Sequence, residues 1–311
     1  MNRLPFEFYA ELAHQLSFDD LGLLSRFPSI SGVVKKITSD AVKKTLHMTV
    51  EFGETGNLFC SFTPAHTKEP SRTFYEIQSR RDWRYLRIGK MTISKKAEST
   101  MKRFEISRYK LVKHLLPFLA AIATHGSQLN AEYQPYSENR DLELLFEALS
   151  QHPCRDLTVF KPTPYGSSQK FLSGQLSPKL ERLDLSGRGF QNCQKLLNRF
   201  LFDLSVSEEI SRLQSLKIQN TNLTLEAEVF QAILKNFHRH AFDMNASVKI
   251  ELEEACALAQ GQGFRASHRT NSDGSFARSI GNKKIIIEMI KVTTIKGYPI
   301  DVYMRQIPWK N

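Results

Sequence analysis

The chain has 311 residues, 41% hydrophobic and 24% charged, with a formal net charge of +11. Such a composition belongs to a soluble globular protein with a core large enough for one big domain or two ordinary ones. It argues against a membrane protein: the longest apolar run, Leu115 to Ala123 with Pro117 inside it, is about half the length a bilayer span needs.

Pro5 suits the first position of a helix, where its missing N–H costs nothing. Phe8, Leu12 and Leu16 follow at four-residue spacing, with Tyr9 beside them, so one face of that helix is apolar. Ser17 and Asp20 form a capping-box pattern that opens a second helix, with Phe18, Leu21, Leu24 and Phe27 as its apolar residues. Two short amphipathic helices at the start of a chain need something to cover them. The pattern Leu4-Pro5-x-Glu7, with Leu12, Leu16 and Asp20-Leu21-x-x-Leu24, resembles the opening half of an F-box. The run from Arg3 to Tyr9 is similar to the expanded F-box-like families of nematodes. The second half departs from the family pattern: no Cys or Trp follows the second helix, where an F-box usually has an aromatic plug, and Phe27 and Val33-Val34 are the only apolar candidates for that role. The resemblance implies docking onto the Skp-type adaptor of a cullin ubiquitin ligase. Leu4, Pro5, Phe8, Leu12, Leu16, Leu21, Leu24 and Phe27 would be buried against that partner. The alternative is a helical hairpin packed on the chain's own domain.

A third helix is expected from about Ser31 to Lys44. Thr45–Phe52 and Asn57–Phe62 alternate in period two around Gly53-Glu54-Thr55-Gly56, which predicts a β-hairpin. Residues 63–72 read as a loop, Tyr85–Thr92 as a strand and Glu105–Thr124 as a helix. Between them, Arg80, Arg81, Arg84 and Arg87 alternate with Trp83 and Tyr85, and Lys90, Lys95, Lys96, Lys102 and Arg103 follow. Cations with interleaved rings suit phosphates and bases. The simpler reading is a strand with half-buried aromatics and solvated arginines. No RNA-recognition, helix-turn-helix or zinc-finger signature accompanies the stretch, so nucleic-acid binding through 80–103 ranks below protein binding.

From Leu129 the chain repeats. Strand cores recur at Leu129, Leu157-x-Val159, Leu183-x-Leu185, Leu216-x-Ile218 and Val248-x-Ile250, at spacings of 28, 26, 33 and 32 residues. Helical patterns at 142–149, 190–204 and 225–237 lie between them. A strand and a helix in fixed order at a period of about 30 residues is a solenoid signature. Leu180-x-x-Leu183-x-Leu185-x-x-Arg188-x-Phe190 and Leu213-x-x-Leu216-x-Ile218-x-x-Thr221-x-Leu223 fit the leucine-rich template. The competing reading is an ordinary α/β domain with evenly spaced parallel strands. If the leucines point inward, Thr158, Asp184 and Lys217 must point to the opposite face. With Lys249 from the next unit, they would form a row suited to holding a target protein. Toward the C-terminus, Ser275–Ile280 and Lys283–Ile290 flank Gly281-Asn282 and predict a hairpin that caps the stack.

Enzyme motifs are missing: there is no phosphate-binding loop, dinucleotide glycine pattern, H-E-x-x-H or G-x-S-x-G. His238 and His240 suit a helix C-terminus better than a metal. Glu253-Glu254 reads as a solvated face, and Gly261-Gln-Gly263 as a turn. Cys60, Cys154, Cys193 and Cys256 stand far apart, as reduced buried thiols do. No signal peptide is visible.

The expectation is therefore an α/β fold without catalytic residues, metal or cofactor, in the cytoplasm or nucleus. Residues 1–40 would be an F-box-like helical module. Residues 41–311 would be a curved leucine-rich-repeat-like recognition domain. It would have an irregular β-rich start at 41–100, repeats over about 105–260 and a β-hairpin cap at 270–295. The expected role is a substrate-recognition adaptor. The alternative is a stand-alone interaction scaffold.

Overall fold

The computed structural model describes residues 45–52, 57–65, 72–79, 86–94, 104–122, 128–132, 140–160, 167–187, 190–209, 211–239, 242–267, 274–280, 283–291 and 299–308. The expected helices at 1–44, and Arg80, Arg81, Trp83, Arg84, Tyr85, Lys95, Lys96, Lys102 and Arg103, lie outside them. The chain is a mixed α/β protein that divides into two compact units. One is formed by residues 1–159 with 163–175, the other by residues 160–162 with 176–311.

The first unit contains β1 (Thr45–Phe52), β2 (Leu58–Pro64), α1 (Phe74–Gln78), β3 (Arg87–Ser94) and β4 (Phe104–Ile106). A helical stretch follows as α2 (Arg108–Lys110), a π turn (Leu111–Leu115) and α3 (Leu116–Ile122), and then β5 (Gln128–Glu132), α4 (Arg140–Leu149), β6 (Asp156–Phe160) and α5 (Ser167–Gln175). Its strands run in the order β6-β5-β3-β1-β2-β4. The alternation at 45–62 does form the antiparallel hairpin β1–β2. Leu46, Met48 and Val50 are buried while His47 is exposed, which is what period two requires of a sheet with one helix-covered face. β1 pairs in parallel with β3 across a bulge: Leu46 faces Ile88 but His47 faces Lys90, so Gly89 is the extra residue. A Cβ at Gly89 would lie 2.6 Å from Thr45 Cγ2. Phe118 meets Phe62 and Phe74 edge-on, at centroid distances of 5.8 and 4.9 Å, and so fastens α3 and α1 to the apolar face.

α4 and α5 approach each other closely. Phe146 and Phe171 meet at 4.9 Å, and a Cβ on Gly174 would lie 1.9 Å from Ser150 O. Next to it, the buried Gln175 serves three backbone groups. Its Nε2 donates to Leu149 O and His152 O, at 2.7 and 3.1 Å, and its Oε1 accepts from Cys154 N at 2.8 Å. A buried amide with all these partners satisfied holds the turn into β6 in a single arrangement.

The second unit contains β7 (Arg182–Ser186), a 3-10 turn (Gln191–Cys193), α6 (Gln194–Val206), β8 (Ser215–Gln219), β9 (Leu225–Glu226), α7 (Ala227–Asn236) and β10 (Asp243–Lys249). After these come α8 (Leu252–Gly261), β11 (Arg265–Ala266), β12 (Gly274–Ile280), β13 (Lys283–Lys291) and β14 (Ile300–Pro308). The strand order is β7-β8-β10-β14-β13-β12-β11, with β9 beside β10. β7, β8 and β10 are parallel, whereas β10, β14, β13 and β12 are successively antiparallel. The expected hairpin is present as β12–β13, but β14 lies between it and β10.

Two segments repeat at an offset of 33 residues. Leu180, Leu183, Leu185 and Phe190, and likewise Leu213, Leu216, Ile218 and Leu223, are all buried. Each strand is followed by a residue in the left-handed region, Gly187 (φ 89°) and Asn220 (φ 53°), residue types that tolerate it. Thr221 Oγ1 accepts the Leu223 N–H at 3.0 Å. From α6, Asn198 Nδ2 donates to Thr224 O at 3.1 Å and Asn198 Oδ1 accepts from Glu226 N at 2.9 Å. Gln194 Oε1 accepts from Thr224 N at 2.9 Å, and its Nε2 donates to Thr224 O. These two amides tie one segment to the next. The core pair expected at Val248 and Ile250 is buried, and β10 reaches further back than that pair: it begins at Asp243 and also points Met244 and Ala246 inward.

Candidate recognition surface

In the second unit the register builds a polar row on the face away from the leucines. Asp184 lies opposite Lys217, Lys217 opposite Asn245, Asn245 opposite Tyr303, and Tyr303 opposite Glu288. Neighbouring strands stand about 5 Å apart, so five side chains line a surface about 20 Å across. Lys217 is exposed, while Asp184, Asn245 and Tyr303 are half-buried. Burial raises the Asp184 carboxyl above its usual range, against the pull of Lys217.

Cross-strand bonds stiffen this face. Arg305 Nη2 reaches both oxygens of Glu288, at 3.1 and 3.0 Å. Ser247 Oγ donates to Asp301 Oδ1 at 2.6 Å, and Gln306 N donates to Asp243 Oδ1 at 2.9 Å. Three of the face's carboxylates are therefore engaged within the sheet. Such a rigid, mixed-charge face is suited to complementary contacts with a partner.

The sequence-predicted row is only partly this one. Asp184 and Lys217 are neighbours in it. Lys249 is not opposite Lys217: Asn245 takes that place because β10 starts five residues earlier than Val248. Lys249 instead pairs with Glu226 of β9, its Nζ 3.9 Å from Oε2. Thr158 is half-buried on β6 of the first unit. Asn245, Tyr303, Glu288 and Arg305 were not among the predicted residues. The alternation Ile300-x-Val302-x-Met304 is the signal that would have found β14. Leu4, Pro5, Phe8, Leu12, Leu16, Leu21, Leu24 and Phe27 lie outside the described residues.

The basic stretch changes meaning at Arg87. This residue opens β3 opposite Thr45 and is only 3% exposed, so it offers no cation to a phosphate at the surface. Burial lowers its guanidinium to about 10, still charged at neutral pH.

His238 is exposed just beyond α7, and Glu253 and Glu254 are exposed in the first turn of α8, where the helix dipole favours them. All four cysteines are free thiols, and three are buried. Burial raises Cys154 to about 12 and Cys193 to about 11, far from nucleophilic poise. Among the described residues no three His, Cys, Asp or Glu side chains gather as metal ligands. No helix among them is long and apolar enough to cross a membrane. No protein family, curated protein or solved structure matches this chain.

Proposed function

We propose that this chain is a non-catalytic recognition protein that holds a target protein on the polar strand face of its second unit. The observation that carries the reading is the row Asp184, Lys217, Asn245, Tyr303 and Glu288, set at strand spacing opposite a fully apolar face. An open row of mixed polar side chains on neighbouring strands offers many contacts to a protein partner. The 33-residue offset of the Leu180 and Leu213 segments supports reading this part as leucine-rich-like repeats in a curved α/β solenoid. The F-box-like pattern of residues 3–28 supports a more particular role, as an adaptor that docks onto a Skp-type subunit of a cullin ligase.

Purification of the full chain from cells, with quantification of Skp-type and cullin subunits, tests the adaptor role. Both subunits are expected to co-purify. Leu12→Asp with Leu24→Asp should abolish their capture and leave the thermal midpoint unchanged. Failure of the wild type to capture them removes the ligase link. A fall in the midpoint of the variant assigns residues 3–28 to the chain's own core. Lys217→Glu should alter the captured targets and spare the adaptor; an unchanged target set would remove the face from recognition.

A further inference from the structure

A second surface, in the first unit, carries the two most exposed aromatic rings among the described residues. Tyr109 is 67% exposed and Tyr75 is 51% exposed, and Val112, 41% exposed, lies one turn from Tyr109. They come from segments far apart in sequence. Tyr75 stands on α1, while Tyr109 and Val112 stand on α2 and the π turn that follows it. Lys110 joins the two segments, its Nζ 5.6 Å from the centre of the Tyr75 ring.

The placement is rigid. Phe74 locks α1 through its edge-on contact with Phe118 at 4.9 Å. A capping box fixes the start of α1: Thr73 N donates to Glu76 Oε2 at 2.6 Å, and Glu76 N donates to Thr73 Oγ1 at 2.9 Å. Tyr109 leans on His114 at 6.0 Å. Large rings held in place lose little freedom on binding, so they favour association. π turns inside helices occur frequently at functional sites.

The surface carries both charges, with two cations left open. Asp141 pairs with Arg108 at 3.5 Å, and Glu76 is held in its capping box, while Glu105 is exposed. Lys110 and Lys113 are exposed and have no ion-pair partner among the described residues. One face of the Tyr75 ring is already taken by Lys110 and its neighbour Phe74 sits edge-on at 5.5 Å. That crowding leaves poor room for a stacked base but leaves the cations open to carboxylates.

We propose that Tyr75, Tyr109, Lys110, Val112 and Lys113 form a docking surface for an acidic protein segment with an apolar anchor. The anchor lies against Tyr109 and Val112, and carboxylates meet Lys110 and Lys113. This surface is separate from the strand face of the second unit and does not depend on it.

The full chain, immobilised and screened against random peptides displayed on phage, tests the proposal. Enriched peptides should carry Asp or Glu around one large apolar residue. Fluorescently labelled copies should bind about tenfold more weakly to Tyr75→Ala/Tyr109→Ala, the loss typical of aromatic anchors. Lys110→Glu should weaken them in the same way, and their binding should fall with added salt. The side chains involved are exposed, so thermal midpoints should stay at the wild-type value. Absence of enrichment, enrichment of basic or neutral peptides, or binding unaffected by both variants would overturn the proposal. So would a deoxythymidine oligonucleotide of about a dozen nucleotides that binds more tightly than the peptides and is lost in the same variants.

Discussion

Gly174→Ala is the most informative substitution in the first unit, because one added carbon meets backbone rather than a movable side chain. The new Cβ would lie 1.9 Å from Ser150 O, 2.7 Å from its carbonyl carbon and 2.9 Å from its Cα. Since contacts under 3.0 Å are not tolerated, α5 must retreat from the end of α4. Gln175 is the next residue, and its bonds to Leu149 O, His152 O and Cys154 N stretch with that movement. The three hydrogen bonds, two of them buried, contribute about 3 kcal/mol together, and overpacking adds about 1–3 kcal/mol. The gain in helix propensity from Gly to Ala returns about 1 kcal/mol. The net loss is about 3–5 kcal/mol, which lowers a urea midpoint by roughly 1–2.5 M at m-values of about 2–3 kcal/mol/M. Gly261→Ala is the matched control: nothing lies within 4 Å of its added carbon, so the same propensity gain should raise stability by up to about 1 kcal/mol. Urea unfolding followed by circular dichroism, with hydrogen exchange at α4 and α5 to localise the effect, reads both. If Gly174→Ala proved as stable as Gly261→Ala, the close approach of the two helices and the role of Gln175 would be wrong.

Asn198→Ala should cost about 1–2 kcal/mol, since it leaves Glu226 N without its acceptor and Thr224 O with Gln194 alone in a part-buried junction, and the same urea assay should show it. Alkaline conditions should weaken the fold: Cys154 and Cys193 keep their protons in the native state up to about 12 and about 11, against 9.0 when unfolded. The unfolded chain therefore binds fewer protons above pH 9.0, and stability falls as pH rises from there by about 1.4 kcal/mol per unit for each thiol. Cys154→Ala/Cys193→Ala should remove the share of these two thiols and leave that of Cys60, which burial also raises; an unchanged slope between pH 9 and 10.5 would refute the burial of Cys154 and Cys193.

Local alternation carried much of the fold. The hairpins β1–β2 and β12–β13 follow from period-two runs around Gly-containing turns, and β7 and β8 follow from their Leu-x-Leu and Leu-x-Ile cores. α5 was harder to see, because Ser167, Ser168, Ser173 and Gly174 dilute its apolar pattern while only Phe171 and Leu172 mark the core. α1 and α8 were hidden for a related reason: one has five residues, and the other buries chiefly Ala255 and Ala259. β10 extends back from its expected core at Val248 and Ile250 because Ala246, which carries little apolar weight, continues the inward row, and so Lys249 was expected in the place that Asn245 takes. Arg87 shows the opposite failure. Composition placed it in a solvated basic run, whereas strand pairing with Thr45 buried it. The insertion of β14 between β10 and β13 depends on contacts between distant segments, which no short window of sequence can display.

That insertion has a consequence for biosynthesis. A ribosome delivers β10 and the β12–β13 hairpin first, and β14 emerges after both. Until it arrives, β10 and β13 each present a bare hydrogen-bonding edge beside apolar side chains such as Met244, Ile285 and Ile287. Open edges of this kind pair readily with other chains. Closing them joins residues more than fifty positions apart, as Ser247 and Asp301 are, so the step carries a loop-closure cost and comes late. The nascent second unit is thus a natural client for chaperones, and translation that stalls before residue 300 leaves a product with both edges unprotected.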